Sequence, residues 1–74
     1  MPAQTLAQAK IDKKYTVRDI TLCDAMKRRL TELGLTVGAE VKCILISAHG
    51  DMMCFIVRGA CIAIRKSDLE RIYV

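Results

Sequence analysis

Two short apolar runs separated by a two-residue turn constrain the fold of this chain more than any other feature. Residues 52–57 and 60–65 each have the length and apolar content of a β-strand, and Arg58-Gly59 between them is typical of a tight hairpin turn. A turn of this length fixes the register of the two strands. The bulkier side chains then share one face, which is the predicted core face: Met53, Phe55, Val57, Ile62 and Ile64.

The opposite face of the predicted hairpin is also apolar. It carries Cys54, Ile56, Cys61 and Ala63, although the core face already supplies the buried side chains. Exposed apolar strips often mark contact surfaces, whereas a strip covered by another segment belongs to the interior. The sequence leaves both interpretations open, with the N-terminal tail or the last strand as the covering segment.

Residues 24–33 have the apolar spacing of a short amphipathic helix. Asp24 is the predicted N-cap, because a carboxylate there accepts hydrogen bonds from the first turn. Gly34 suits the left-handed conformation that ends a helix, and Leu35 can then pack back on the last turn. Positions i, i+4 and i+7 form the predicted buried face of the helix: Met26, Leu30 and Leu33.

The segments on either side of this helix predict further short strands. Residues 15–22 change parity near Arg18 and Asp19, which indicates a strand with a bend or bulge. Residues 39–46 alternate with a period of two. The predicted core face of this second strand consists of Val41, Cys43 and Leu45.

The C-terminal part completes a small β fold. We predict a turn at residues 49–51, one helical turn at residues 67–70 with Ser67 as its cap, and a closing strand at residues 71–74. One short helix among short antiparallel strands indicates a mainly β chain that forms a small, partly open barrel.

Length and composition allow one small domain. The chain has 74 residues, of which 53% are hydrophobic and 27% charged, as in globular proteins. Residues 1–14 are predicted to be an N-terminal tail with a short first element around Leu6, and residues 15–74 a single domain. No secretory signal is visible, and the longest apolar run falls far short of the roughly 20 residues that cross a bilayer. We therefore expect a cytoplasmic protein.

The positive charge is modest and mostly dispersed. The net charge is +4, with one tight basic group at Lys27, Arg28 and Arg29. This group is either a solvated helix face or a patch that binds the acidic surface of a partner. The chain has three aromatic residues and no basic stripe along a strand, so nucleic acid is not an expected partner.

The residue types and spacings do not predict an enzyme. The single histidine, His49, lies in a predicted turn, and no phosphate-binding glycine loop is present. The four cysteines include no C-x-x-C pair, so we expect reduced thiols, two or three of them packed as small hydrophobic residues. No cofactor is expected to be required. If Fe²⁺ or Zn²⁺ binds, the candidate ligands are His49, Asp51, Cys54 and Cys61.

Three stretches together resemble the FeoA family of bacterial ferrous iron transport accessory proteins. They are MKRRLTELGLTVGAEV at residues 26–41, HGD at residues 49–51 and VRGACIAIR at residues 57–65. The resemblance extends from about Leu6 to Val74. It implies an SH3-like small barrel and a cytoplasmic protein that works with FeoB, the membrane transporter with a GTP-binding domain, so that any membrane association is peripheral and made through this partner.

The resemblance also bears on the candidate contact surfaces. Cys54, Ile56 and Cys61 stand where the family commonly has charged residues, which favours a contact surface and leaves a homodimer open. The predicted partner-binding residues are Lys27, Arg28, Arg29, Cys54, Ile56 and Cys61. The alternative function is a free-standing, transition-metal-responsive regulatory domain related to the C-terminal domain of iron-dependent repressors.

Overall fold

The computed structural model describes residues 4–74. A 3-10 turn at Leu6–Gln8 precedes the regular elements. These elements, in chain order, are β1 (Lys14–Thr16), β2 (Asp19–Ile20), α1 (Asp24–Glu32), β3 (Glu40–Ile46), β4 (Met52–Val57), β5 (Ala60–Arg65), α2 (Lys66–Leu69) and β6 (Ile72–Tyr73). The predicted mainly β fold with one short helix is confirmed, and α2 adds a single turn. None of the helices formed by residues 4–74 has the length and apolar character needed to cross a membrane.

The strands form two antiparallel sheets. The larger has the order β1-β3-β4-β5, and β2 pairs with β6 in the smaller. The chain changes sheet at Val17 and Arg18, between β1 and β2, where the sequence predicted a bend. The two sheets are not joined into one closed hydrogen-bonded cylinder within residues 4–74, so the fold is an open one.

The β4–β5 hairpin has the predicted register. Val57 pairs with Ala60, Phe55 with Ile62, and Met53 with Ile64. Arg58 and Gly59 have φ angles of 51° and 81°, as a two-residue turn with positive φ at both positions requires. The five larger members of these pairs are buried, which confirms the predicted core face.

A β-bulge in β3 overturns one core prediction. The register against β4 shifts between Cys43 and Leu45, so that Leu45 lies opposite Cys54 and Ile46 opposite Met53. The extra residue reverses the alternation. Leu45 is therefore 57% exposed instead of buried, and Ile46 packs against the core in its place.

Helix α1 ends as predicted but begins and packs differently. Gly34, with φ 95°, follows the helix, and Leu35 N–H donates to the carbonyl of Leu30 at 2.9 Å, as in a Schellman motif. The N-cap is Cys23 and not Asp24, which lies inside the first turn. Of the predicted buried face, Leu30 is buried, Met26 is half-buried, and Leu33 is 44% exposed because the helix ends there.

The C-terminal elements and the N-terminal turn close one end of the core. Arg65, and not Ser67, is the N-cap of α2, because β5 runs directly into this helix. The closing strand β6 pairs with β2, and Thr5 forms an isolated bridge with Tyr73. Leu6 is fully buried. The first three residues of the predicted tail lie outside the described residues, and the division into a tail over 1–14 and a domain over 15–74 stays a prediction.

The core of residues 4–74 is apolar throughout. No polar or charged side chain is buried among these residues. The fully buried side chains come from strands, turns and the segments between them: Leu6, Val17, Leu35, Val41, Cys43, Phe55, Val57, Leu69 and Ile72. The charged and polar side chains of residues 4–74 therefore all lie at or near the surface.

Leu30 anchors α1, because it is the only residue of that nine-residue helix that is buried. We expect Leu30→Ala to lower the free energy of unfolding by about 2–5 kcal/mol, through lost transfer energy and the cavity left behind. Urea denaturation measures this. The matched control Leu33→Ala, at the exposed C-cap of the same helix, should change stability by about 0.5 kcal/mol or less. Equal losses in both variants would contradict the assignment of Leu30 as the anchor.

Candidate interaction surface

An exposed apolar strip crosses the outer face of the four-stranded sheet. The paired residues Leu45, Cys54 and Ala63 form one row across β3, β4 and β5, and Ile56 pairs with Cys61 in the next. We call these five residues the outer strip. Leu45 is 57% and Ile56 38% exposed, and Cys61 and Ala63 are also exposed. The structure brings three predicted partner-binding residues together here, and the bulge adds Leu45, which sequence reasoning missed.

Within residues 4–74 no segment covers the outer strip. The closing strand β6 belongs to the other sheet, and Thr5 is joined to that strand. These were the two segments that the sequence offered as a cover. The exposure of Leu45 and Ile56 agrees with this placement.

Cations border the outer strip at both ends. Lys42 lies opposite Ile56 in the same row, and Arg65 lies opposite Met52 at the other end. Lys14 lies opposite Lys42 and contacts Glu40 at 3.8 Å, where both side chains are 66% exposed. An ion pair this exposed contributes little to stability. The border therefore remains positive and open to an acidic partner.

The basic group of α1 is also exposed. Lys27, Arg28 and Arg29 all lie on the solvent side of the helix. The Lys14–Glu40 contact is the single ion pair among residues 4–74, so none of these three cations is neutralised by a carboxylate of the described chain.

A cleft of about 530 Å³ lies between α1 and β5. It is lined by residues of both predicted partner-binding regions, the basic group of α1 and the outer strip. Met26, Leu30 and Leu33 line its helix side, and residues 61–65 line its strand side. Its charged residues are Arg29, Arg65 and Asp68. Arg29 and Cys61 thus face one cavity. Sequence reasoning missed the cleft because it depends on where the loop of residues 33–39 places the helix.

The four cysteines occupy different environments. All four are free thiols. Cys43 is buried, Cys54 is half-buried, and Cys23 and Cys61 are exposed, so fewer thiols pack as core residues than the sequence predicted. Burial raises the pKa of the Cys43 thiol. A hydrogen bond with the backbone of Leu45 partly opposes this, and Cys54 and Asp12 make smaller contributions upward.

The candidate metal ligands lie in two places. His49 and Asp51 are in the β3–β4 turn, where the Asp51 carboxylate accepts a hydrogen bond from Ser47 Oγ at 2.8 Å. These two residues line a second cleft of about 430 Å³, together with Arg65, Lys66 and Glu70. Cys54 and Cys61 belong instead to the outer strip. Among the described residues, His, Cys, Asp and Glu form no group of three or more able to hold a metal ion, so these side chains do not make up a complete zinc site.

Comparison with protein families and known structures gives consistent matches. The model of the FeoA domain matches residues 4–74. The solution structure of FeoA from Chlorobium tepidum is 28% identical, with a TM-score of 0.89, and the alignment covers 93% of this chain and 66% of that one. The present chain therefore spans just under two thirds of that protein. Sequence comparison with functionally characterised proteins gave no significant match.

Two further structures extend the comparison. FeoA from Stenotrophomonas maltophilia, solved with zinc and described as an SH3 domain protein, is 30% identical with a TM-score of 0.76, covering 95% of this chain and 87% of that one. The predicted SH3-like fold is thereby confirmed. A manganese-dependent transcriptional repressor is 18% identical with a TM-score of 0.85, covering 99% of this chain and 41% of the repressor. At that identity the likeness concerns the fold alone.

The placement of the thiols predicts an order of alkylation. At pH 7.5, N-ethylmaleimide should modify Cys23 and Cys61 first, Cys54 more slowly and Cys43 last, because Cys43 is buried and its raised pKa lowers its thiolate fraction. Peptide mass mapping over time measures the order, and unfolding in guanidinium should equalise the four rates. Early modification of Cys43 in the folded protein would contradict the assigned burial.

Proposed function

This chain belongs to the FeoA family, whose model matches residues 4–74, and we propose that it is a cytoplasmic accessory protein that binds and regulates the FeoB transporter. The family is involved in ferrous iron transport and is a family of SH3-like accessory domains rather than of enzymes. The Stenotrophomonas maltophilia relative is described as a candidate activating factor of that transport. Ferrous iron is then the cargo of the partner.

The observation that carries this proposal is the outer strip with its positive border. The other face of this sheet is already buried in the core. An exposed row of apolar side chains on such a sheet is typical of a surface that binds another protein. Full burial of a Leu or Ile side chain contributes about 1.5–3 kcal/mol, and Leu45 and Ile56 are both available for it. The flanking cations add selectivity for an acidic surface.

In the proposed mechanism the chain binds the transporter and catalyses no reaction. The outer strip is buried against a cytosolic portion of the transporter, and Lys27, Arg28 and Arg29 of α1 supply long-range attraction to acidic groups. If the chain binds one conformation of the transporter more tightly than another, it increases the population of that conformation. An accessory protein can regulate in this way without a reactive group.

A charge placed in the outer strip should weaken this complex. We expect the double variant Cys54→Glu/Ile56→Glu to bind the cytosolic portion of FeoB about tenfold more weakly or worse, because it buries two unpaired carboxylates. Isothermal titration calorimetry measures the affinity. Val37→Glu is the control, since Val37 is 56% exposed but lies in the loop before β3.

Reversing a charge on α1 tests the basic group separately. Arg28→Glu should slow association and reduce its salt dependence, because an exposed charge acts mainly on the encounter rate. Stopped-flow association at two salt concentrations measures this, with Lys10→Glu as the charge-matched control outside the helix. If the strip and helix variants both bind as the unmodified chain does, neither surface is the docking face.

The alternative function is a metal-responsive regulatory domain. The fold likeness to the manganese-dependent repressor favours it, while the scattered ligand candidates oppose it. We expect that titration with Zn²⁺, or with Fe²⁺ under anaerobic conditions, gives no stoichiometric micromolar binding heat. Stoichiometric heat that disappears in Cys54→Ser/Cys61→Ser would favour the regulatory domain over the accessory role.

A further inference from the structure

Strand β5 pairs with β4 on one side only. The Met52 carbonyl accepts a hydrogen bond from Ser47 N–H at 2.9 Å, so the backbone of Met52 faces β3. Its neighbour Asp51 faces the other way and accepts from Lys66 N–H at 2.9 Å. Because backbone direction alternates along an antiparallel strand, the even-numbered residues of β5 bond to β4. The backbone groups of Cys61, Ala63 and Arg65 point to the opposite side.

That opposite side is an open sheet edge. β5 is the last strand of its sheet. Within residues 4–74, no strand pairs with the outward N–H and C=O groups of Cys61 and Ala63 or with the N–H of Arg65. The C=O of Arg65, which is the N-cap of α2, accepts the first hydrogen bond of that helix instead. Such a row of unpaired groups is a template for another extended chain. The edge carries no proline and no bulge that would blunt it.

The cleft between α1 and β5 gives an added strand a place to lie. Residues 61–65 all line it, including both outward-facing and core-facing side chains, so the cleft runs along the strand edge. A paired strand sits about 4.7–4.9 Å away, and the cleft of about 530 Å³ provides space at that edge. Met26 on α1 and Leu33 at its C-cap form an apolar wall that would cover one face of the incoming segment.

The charges around the cleft favour an added strand that carries acidic side chains. Arg29 and Arg65 line it against one carboxylate, that of Asp68. A third cation borders the end of the helix, because the stem of Arg58 packs against Gly34, where an added Cβ would lie 3.1 Å from Arg58 Cδ. Among residues 4–74 none of these arginines has an ion-pair partner. A second copy of this chain would bring the same cations and a second α1 to the same edge.

We propose that the edge of β5 binds an extended segment of the partner by strand addition, a segment that alternates apolar and acidic side chains. Main-chain hydrogen bonds to Cys61, to Ala63 and to the N–H of Arg65 hold the segment, as in other strand-addition complexes. Its apolar side chains face Met26 and Leu33, and its carboxylates face Arg29 and Arg65. This inference rests on the proposed function and specifies how the transporter is bound.

Amide exchange tests the proposal on the unmodified protein. In the free chain, the amides of Cys61, Ala63 and Arg65 should exchange quickly, while those of Ile62 and Ile64 are protected by β4. On addition of the cytosolic portion of FeoB, the exchange of the three outward amides should slow by about tenfold or more. Residue-resolved NMR exchange measures both states.

A proline at the centre of the edge provides the matching variant. Ala63→Pro removes an N–H that no residue of β4 uses, so the hairpin should still form, as edge strands tolerate proline there. Ala63→Gly weakens the strand but keeps the N–H. We expect Ala63→Pro to bind about tenfold more weakly than Ala63→Gly, with circular dichroism confirming that both fold. If the proline variant does not fold, the exchange experiment decides alone.

The outcomes separate this inference from the proposed function. Binding with protected outward amides supports both. Binding with unchanged exchange at Cys61, Ala63 and Arg65 overturns strand addition and leaves the accessory role intact. Absence of any binding by the unmodified chain overturns the proposed function and this inference with it. Protection that appears in the chain alone with rising concentration identifies a second copy as the occupant and overturns the heterotypic partner.

Discussion

The two-residue turn at Arg58-Gly59 determines which side chains of the β4–β5 hairpin are buried and which are exposed. Both residues have positive φ angles, which hold β4 and β5 in a single register. That register places Phe55 opposite Ile62 in the core and Ile56 opposite Cys61 on the surface. A shift of one residue would exchange the two faces. The same register also decides which backbone groups of β5 bond to β4 and which remain at the open edge.

The hairpin and the end of the helix could be predicted from the sequence because their signals are local. A two-residue turn sets pairing without reference to the rest of the chain, and a glycine after an apolar helical turn specifies its own stop. The predicted contacts of Leu35 with the last turn and of Met53 with Ile64 follow from such short-range rules.

The remaining features depended on distant parts of the chain. The bulge in β3 exposes Leu45. The alternation of residues 39–46 does not reveal it, because a bulge is defined by how the strand pairs with its neighbour β4. Leu33 continues the apolar spacing of α1 but is exposed, since the helix ends at Glu32. The cleft, which joins Arg29 to β5, exists only in the tertiary arrangement.

The groups that we propose for partner binding lie on two adjoining surfaces, the outer strip and the cleft. The core of residues 4–74 contains no polar side chain, and the described cations are almost entirely free of carboxylate partners. An apolar sheet face bordered by unpaired cations favours binding of a protein with acidic and apolar groups over binding of a small substrate. A chain of 74 residues has a small core. Recognition by surface groups does not require that core to stabilise buried polar side chains.

The most direct test of this account is a chemical-shift map of the ¹⁵N-labelled chain during titration with the cytosolic portion of FeoB. The account predicts that the perturbed amides cluster on α1, β4 and β5, around the outer strip and the cleft. It predicts little change in the sheet formed by β2 and β6. Perturbations centred on β2 and β6, or none at saturating concentrations of the partner, would contradict it.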